Sequence, residues 1–298
     1  RDVFEARRRL LPHLSPSAVR RYAPLDGAVG HGIAVWVKHE NHTPVGAFKL
    51  RGGLVYFDAL KRRDPGCRGV ISATRGNHGQ SVGFAARLHG LPATIVVPHG
   101  NSVEKNAAMR AFGVELIEHG EDFQAARERA TVLAEQRGLH MVPAFHDDLV
   151  RGVASYWLEF FDAVQPDAVL VPIGQGSGIC ACAAARARTG ARTRIVGVVS
   201  AHATAYQQSH RAGRLIASEV TTRLADGMAC RLPDQAALDV MLREVDDVLA
   251  VTDDEVAEAM RALFADTHNV AEGAGAAAVA AVMQQRGRWT GRTLGIPI

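Results

Sequence analysis

The chain has 298 residues, 47% hydrophobic and 22% charged, with a net charge of +3. This is enough chain to bury a large core as one domain or two. It has no dense Lys/Arg run and no apolar run near the ~20 residues of a membrane span, so nothing argues for nucleic acid or a membrane as partner.

Strands are expected at Val35–His39, Gly69–Ala73, Ala93–Val97, Val114–His119, Ala168–Pro172, Arg194–Val199 and Thr293–Ile298. Several are continuous apolar runs, the pattern of parallel strands covered on both faces. Helices are expected between them. Asn101–Phe112 opens with Asn101 and has Glu104 three residues on, a capping-box arrangement. Phe123–Arg137 is closed by Gly138, and Leu149–Val164 and Asp253–Phe264 follow the same pattern. This alternation predicts an α/β fold with parallel sheets.

The four cysteines, Cys67, Cys180, Cys182 and Cys230, fit no zinc or disulfide spacing, so reduced thiols in a cytoplasmic protein are expected. No signal peptide is visible. The sequence begins at Arg1 rather than Met, and its natural N-terminus is expected upstream.

Four segments carry chemistry. In Lys38–Gly53, K-H-E-N-H-T-P-V-G-A-F-K-L-R-G-G, Lys49 lies between Phe48 and Leu50 with Gly46, Gly52 and Gly53 around it. Apolar surroundings lower a lysine pKa from about 10.4 toward neutrality, which a Schiff-base lysine needs, since only the neutral amine attacks an aldehyde. In Val70–Ala86, a strand leads through the polar turn Thr74–His78 into a helix, whose N-terminus would take a carboxylate or simply be an Asn-containing cap. In Val169–Ile179, a strand runs into Gly174–Gly178, a Gly-rich turn before the Ala-rich helix Cys180–Arg188. That is a place for phosphate, although the turn lacks both P-loop and dinucleotide signatures. In Ala271–Val282, Glu272 heads a helix of small residues. His39 and His42 lack the third ligand of a metal site, so no metal is expected. Asp253, Asp254 and Glu255 are explained by the helix dipole alone.

Taken together and in this order, the segments resemble the fold-type II pyridoxal-phosphate enzymes, in the branch of threonine/serine dehydratases and serine racemase. The likeness runs from Pro24–Leu25 to the C-terminal strand. Gly46–Gly52, G-A-F-K-L-R-G, is similar to the family's G-S-F-K-x-R-G. Gly76-Asn77-His78 matches its S-x-G-N-H, and Val171–Gly178 resembles its V-P-x-G-G-G-G.

The resemblance implies two lobes with parallel sheets and the site in the crevice between them. It assigns 1–66 and 146–298 to a large cofactor-binding domain and 67–145 to a small mobile one. It implies pyridoxal 5'-phosphate joined to Lys49, which also moves the α-proton. Phe48 and Glu272 would lie near the cofactor ring. Asn77 would bond its phenolic oxygen, and Gly174, Gln175, Gly176, Ser177 and Gly178 would cradle its phosphate. Thr74, Arg75, Gly76, Asn77 and His78 would line the substrate site, with the carboxylate held at this turn. The implied reaction is an ammonia-lyase (dehydratase) conversion of L-threonine or L-serine to a 2-oxo acid and ammonia, in a homodimer.

The sequence also departs from the pattern. Arg75 stands where dehydratases carry Ala and racemases Ser, which disfavours racemisation and suggests a clamp on a second acid group, as in 3-hydroxyaspartate. Gln175 and Ser177 replace glycines and would donate side-chain hydrogen bonds. The family's metal-binding glutamate appears as Val199 or Ser200, while Asp226 remains. The chain ends at Ile298, before the family's S-G-G-N, so a longer protein is expected. Alternatives are a bulkier substrate such as phenylserine, an amino-acid racemase, a β-replacement enzyme, and a cofactor-binding regulatory protein without turnover.

Overall fold

Parallel strands covered on both faces must be apolar at consecutive positions, and in this computed structural model β3 (Val70–Ala73) and β4 (Ala93–Val97) are buried throughout. The structure describes residues 2–298. In chain order the elements begin with α1 (Val3–Leu10), β1 (Val19–Arg21), α2 (Ala23–Val29), β2 (Ala34–Lys38) and α3 (Lys49–Arg63). After β3 come α4 (Asn77–Leu88), β4, α5 (Val103–Ala111), β5 (Glu115–Glu118), α6 (Phe123–Arg137), β6 (His140–Met141) and α7 (Asp147–Ala163). Next are β7 (Ala168–Pro172), α8 (Ser177–Thr189), β8 (Arg194–Ser200), α9 (Ala205–Ala212) and α10 (Gln235–Glu244). The last are β9 (Asp247–Val251), α11 (Asp253–Thr267), α12 (Gly273–Gln284) and β10 (Thr293–Pro297). Among the described residues no helix is long and apolar enough to cross a membrane.

The chain divides into two compact units, and the α/β class with parallel sheets is as expected. One unit comprises Asp2–Leu14 and Thr43–Val153. Its sheet has the order β5-β4-β3-β6, all parallel. The other comprises Ser15–His42 and Ala154–Ile298, with the order β1-β2-β10-β7-β8-β9, in which only the edge strand β1 is antiparallel. Its core joins Val35, Val37, Leu170, Val196 and Ile296 to Ala276–Val282 of α12, whose small side chains lie close on the sheet. At the end of β2 the buried Lys38 ammonium is paired with Glu159 at 2.5 Å and donates to the Ser17 carbonyl at 2.8 Å, so neither charge is stranded.

These units divide elsewhere than expected from sequence, where 1–66 joined 146–298. The reason lies in α3. A Cβ on Gly53 would fall 2.2 Å from Ser81 Oγ of α4, and one on Gly152 of α7 would fall 2.2 Å from the Arg51 carbonyl oxygen. Glycine at these points lets the backbones meet, and Leu50, Leu54, Phe57 and Leu60 then share a core with Val82, Ala85 and Ala86. So α3 packs with α4 and the start of α7 rather than with the strand that precedes it.

Two smaller expectations also differ. The N-cap of α5 is Ser102, whose hydroxyl accepts from the Lys105 N–H, because Asn101 is turned to Asn106 at 2.7 Å. The strand β9 was not expected. It is a short half-buried run that leads straight into the Thr252–Glu255 capping box of α11.

The Gly152 contact is with backbone, which has little freedom to yield. Gly152→Ala is expected to destabilise by about 1–3 kcal/mol in urea titrations. Gly287→Ala, with open space around it, should stay within about 0.5 kcal/mol.

Candidate active site

Lys49 is placed by a tight turn. The Thr43 hydroxyl bonds both the N–H and the carbonyl of Ala47 at 2.9 Å. Gly46 donates its N–H to the Thr43 carbonyl and sits at φ +65°, where glycine carries no Cβ penalty. The chain then enters α3 with Phe48 as N-cap and Lys49 as the first helical residue. Lys49 Nζ lies 5.2 Å from the centroid of the Phe48 ring. Burial lowers the Lys49 amine to about 8. Its position at a helix N-terminus works in the same direction, since the positive dipole end disfavours an ammonium. The lysine is thus prepared as a nucleophile by its surroundings.

In the same unit, β3 ends at Ala73 and α4 begins at Asn77. Thr74 caps this helix, its hydroxyl oxygen accepting the N–H groups of Gly76 at 2.9 Å and Gly79 at 3.3 Å. The Gly76 N–H is therefore committed within the turn. Asn77 and His78 occupy the first turn, where N–H groups have no intrahelical acceptor. A Cβ on Gly76 would meet the Lys105 stem at 2.2 Å, and one on Gly79 would meet Met109 and Thr74. Ser81 Oγ donates to the Lys49 carbonyl at 2.7 Å, which ties the start of α3 to α4. Sequence reasoning missed Ser81, whose role depends on a contact 32 residues away.

Arg75 is half-buried, and among the described residues it has no ion-pair or hydrogen-bond partner. The His78 side chain is buried at 7% exposure, and its Nε2 has no hydrogen-bond partner. Burial first, then the Lys49 charge, lower its pKa to about 3 against opposing backbone hydrogen bonds at Val142 and Pro143.

The other unit holds the Gly174–Gly178 turn. It follows β7 and leads into α8, with Gly176 at φ +93° as N-cap. A Cβ on Gly174 would lie 2.3 Å from the Gly227 carbonyl oxygen, and one on Gly176 would lie 2.6 Å from Ala237 Cβ. Tyr206, which sequence reasoning also missed, braces the turn. Its hydroxyl donates to the Gln175 carbonyl and accepts the Asp234 N–H, both at 3.1 Å. The Gln175 side chain lies close enough to Cys230 to lower its thiol, against the larger effect of burial. Trp157 Nε1 donates to the Gly178 carbonyl at 3.1 Å. Glu272 is the N-cap of α12 but makes no side-chain cap bond, and its Oε1 lies 3.7 Å from where a Gly227 Cβ would be. The four cysteines are free thiols, and burial pushes Cys180 and Cys230 up to about 12.

The two weak metal candidates are accounted for. The His39 and His42 rings stack at 4.7 Å, and their nitrogens bond Tyr22, Asn41 and Asn269.

These residues fit a phosphorylated aldehyde. A desolvated amine suits the aldehyde, and a glycine turn at a helix N-terminus, free of acidic side chains, suits the phosphate. Comparison with known proteins bears on the same point. The family described as pyridoxal-phosphate dependent enzyme matches residues 10–296. The L-threonine ammonia-lyase of Geobacter sulfurreducens is 37% identical over 258 residues, 86% of this chain and 64% of that protein. The chain thus spans under two thirds of that relative's length. The structure of a threonine deaminase from T.th. superposes with a TM-score of 0.90 at 30% identity, covering 99% of this chain and 95% of the other. A pyridoxal 5'-phosphate-dependent aspartate racemase superposes with a TM-score of 0.93 at 25% identity, covering 99% and 93%. The chain belongs to the fold-type II pyridoxal-phosphate dependent enzyme family, with pyridoxal 5'-phosphate as its cofactor.

Proposed function

We propose that the chain is the catalytic part of an ammonia-lyase that converts a β-hydroxy amino acid such as L-threonine or L-serine to a 2-oxo acid and ammonia. The observation that carries this reading is the Lys49 amine, lowered to about 8 by burial and tied through Ser81 to α4, whose start is the expected carboxylate site. The names of the Geobacter relative and of the threonine deaminase structure support the same reaction.

In this reading Lys49 and the Gly174–Gly178 turn hold the cofactor, with Phe48, Asn77 and Glu272 around its ring. When bound, pyridoxal phosphate supplies the electron sink for the carbanion formed at the substrate α-carbon. Lys49 takes the α-proton as general base. The Thr74 hydroxyl and the Asn77 and His78 backbone N–H groups receive the substrate carboxylate. Loss of the β-hydroxyl as water leaves an enamine, which on release hydrolyses to the 2-oxo acid and ammonia.

Arg75 favours a second reading for the substrate. A half-buried guanidinium with no partner would pair a further carboxylate, as in 3-hydroxyaspartate. The similarity to an aspartate racemase structure supports an acidic side chain.

Lys49→Ala is expected to abolish the visible absorbance of bound cofactor and to lower 2-oxo acid formation by more than about a thousand-fold. A wild-type protein that shows no such absorbance after incubation with pyridoxal phosphate overturns the reading. Only the neutral amine captures the cofactor, so uptake by cofactor-free protein should rise with pH and level off above about 8. Rates of 2-oxo acid release from serine, threonine, phenylserine and 3-hydroxyaspartate separate the substrates. If Arg75 is a clamp, Arg75→Ala should lower kcat/KM for 3-hydroxyaspartate by about 10–100-fold and spare threonine.

A further inference from the structure

His78 sits one residue inside α4, and its ring belongs to the region around Lys49. The ring is buried at 7% exposure, and Nε2 is left without a partner. An unsatisfied polar atom at this depth costs about 1–3 kcal/mol unless something bonds it. The carbonyls of Val142 and Pro143 accept from the ring. Since Nε2 is the unpartnered nitrogen, Nδ1 carries the proton and makes those bonds. Each neutral imidazole has one donor and one acceptor nitrogen, so Nε2 presents a lone pair. Burial, the largest cause, keeps the ring neutral.

This excludes one role for the ring. A carboxylate is acceptor-only, and two acceptors facing each other repel. The substrate carboxylate must therefore be met at this turn by the His78 backbone N–H and not by its imidazole. A β-hydroxy amino acid carries one donor besides its amino group, which is the hydroxyl at Cβ. We infer that His78 Nε2 accepts the hydrogen of the substrate β-hydroxyl, making His78 a specificity-determining residue that orients the leaving group. This rests on the β-hydroxy amino acid reading above. Accepting that hydrogen turns the hydroxyl oxygen's lone pairs away from the ring, toward whichever acid protonates it as it leaves.

The test has two parts. The first uses wild-type protein labelled with ¹⁵N-histidine. His78 should show an unprotonated Nε2 and a protonated Nδ1 from about pH 5 to 9, in both cofactor-free and cofactor-loaded protein. A protonated Nε2 overturns the assignment without any reference to turnover. The second part compares L-serine with β-chloro-L-alanine, which loses chloride and has no hydroxyl to donate. His78→Leu should lower kcat/KM for L-serine by about ten-fold or more relative to β-chloro-L-alanine, the scale of one lost hydrogen bond. His78→Asn returns an acceptor oxygen and should recover part of that ratio. Equal losses on both substrates, or a ratio unchanged in His78→Leu, overturn the inference. If wild-type protein releases no 2-oxo acid from either substrate, the lyase reading itself has failed, and the labelling result still reports on the ring.

Discussion

The close approach of α3 and α4 is the constraint on which the site depends. It exists because Gly53 presents no Cβ to Ser81, and it is fastened where Ser81 Oγ donates to the Lys49 carbonyl at 2.7 Å. Lys49 is the first residue of one helix, and Asn77 and His78 are the first residues of the other. One crossing therefore brings two positive dipole ends to the same place. A lysine here is discouraged from holding its proton, and an anion is welcomed. Both consequences come from backbone geometry, and a flexible side chain is not needed to produce either.

The second unit solves a different problem by similar means. A phosphate needs many N–H donors within reach and no side chain in the way. In the proposed reading the turn after β7 serves this end, leading into α8 through Gly174 and Gly176, each pressed against a neighbour that would exclude a methyl group. Tyr206 holds the Gln175 carbonyl from behind, so the turn is shaped before anything binds. Such preorganisation spares the binding free energy that ordering a loose glycine loop would cost.

Much of this was legible in the sequence because the informative signals were local. The run G-A-F-K-L-R-G-G names the lysine, and its last two glycines are those later found where α3 meets α7 and α4. The apolar runs that became β3, β4, β7 and β8 are parallel strands at nearly the expected bounds. What could not be read depends on distant partners. Assignment of α3 to its unit depends on Gly152, about a hundred residues on. The burial of the His78 ring and the bracing of the Gln175 carbonyl by Tyr206 are both made by residues far along the chain. The strand β9 escaped notice because it is short and half-buried, and the irregular stretch between α9 and α10 carries no period at all.

The turn between β3 and α4 separates what is fixed from what is free. Gly76, Gly79 and Gly83 are each closed in by a neighbouring residue, and the Thr74 hydroxyl is held in place by the Gly76 and Gly79 N–H groups it accepts. Arg75, in their midst, is held by none of the described residues. In the reading proposed above, a change at that single codon would alter which side chain a substrate meets, while the contacts around the three glycines stay as they are. If that reading holds, position 75 is where substrate range can change at least cost to the fold.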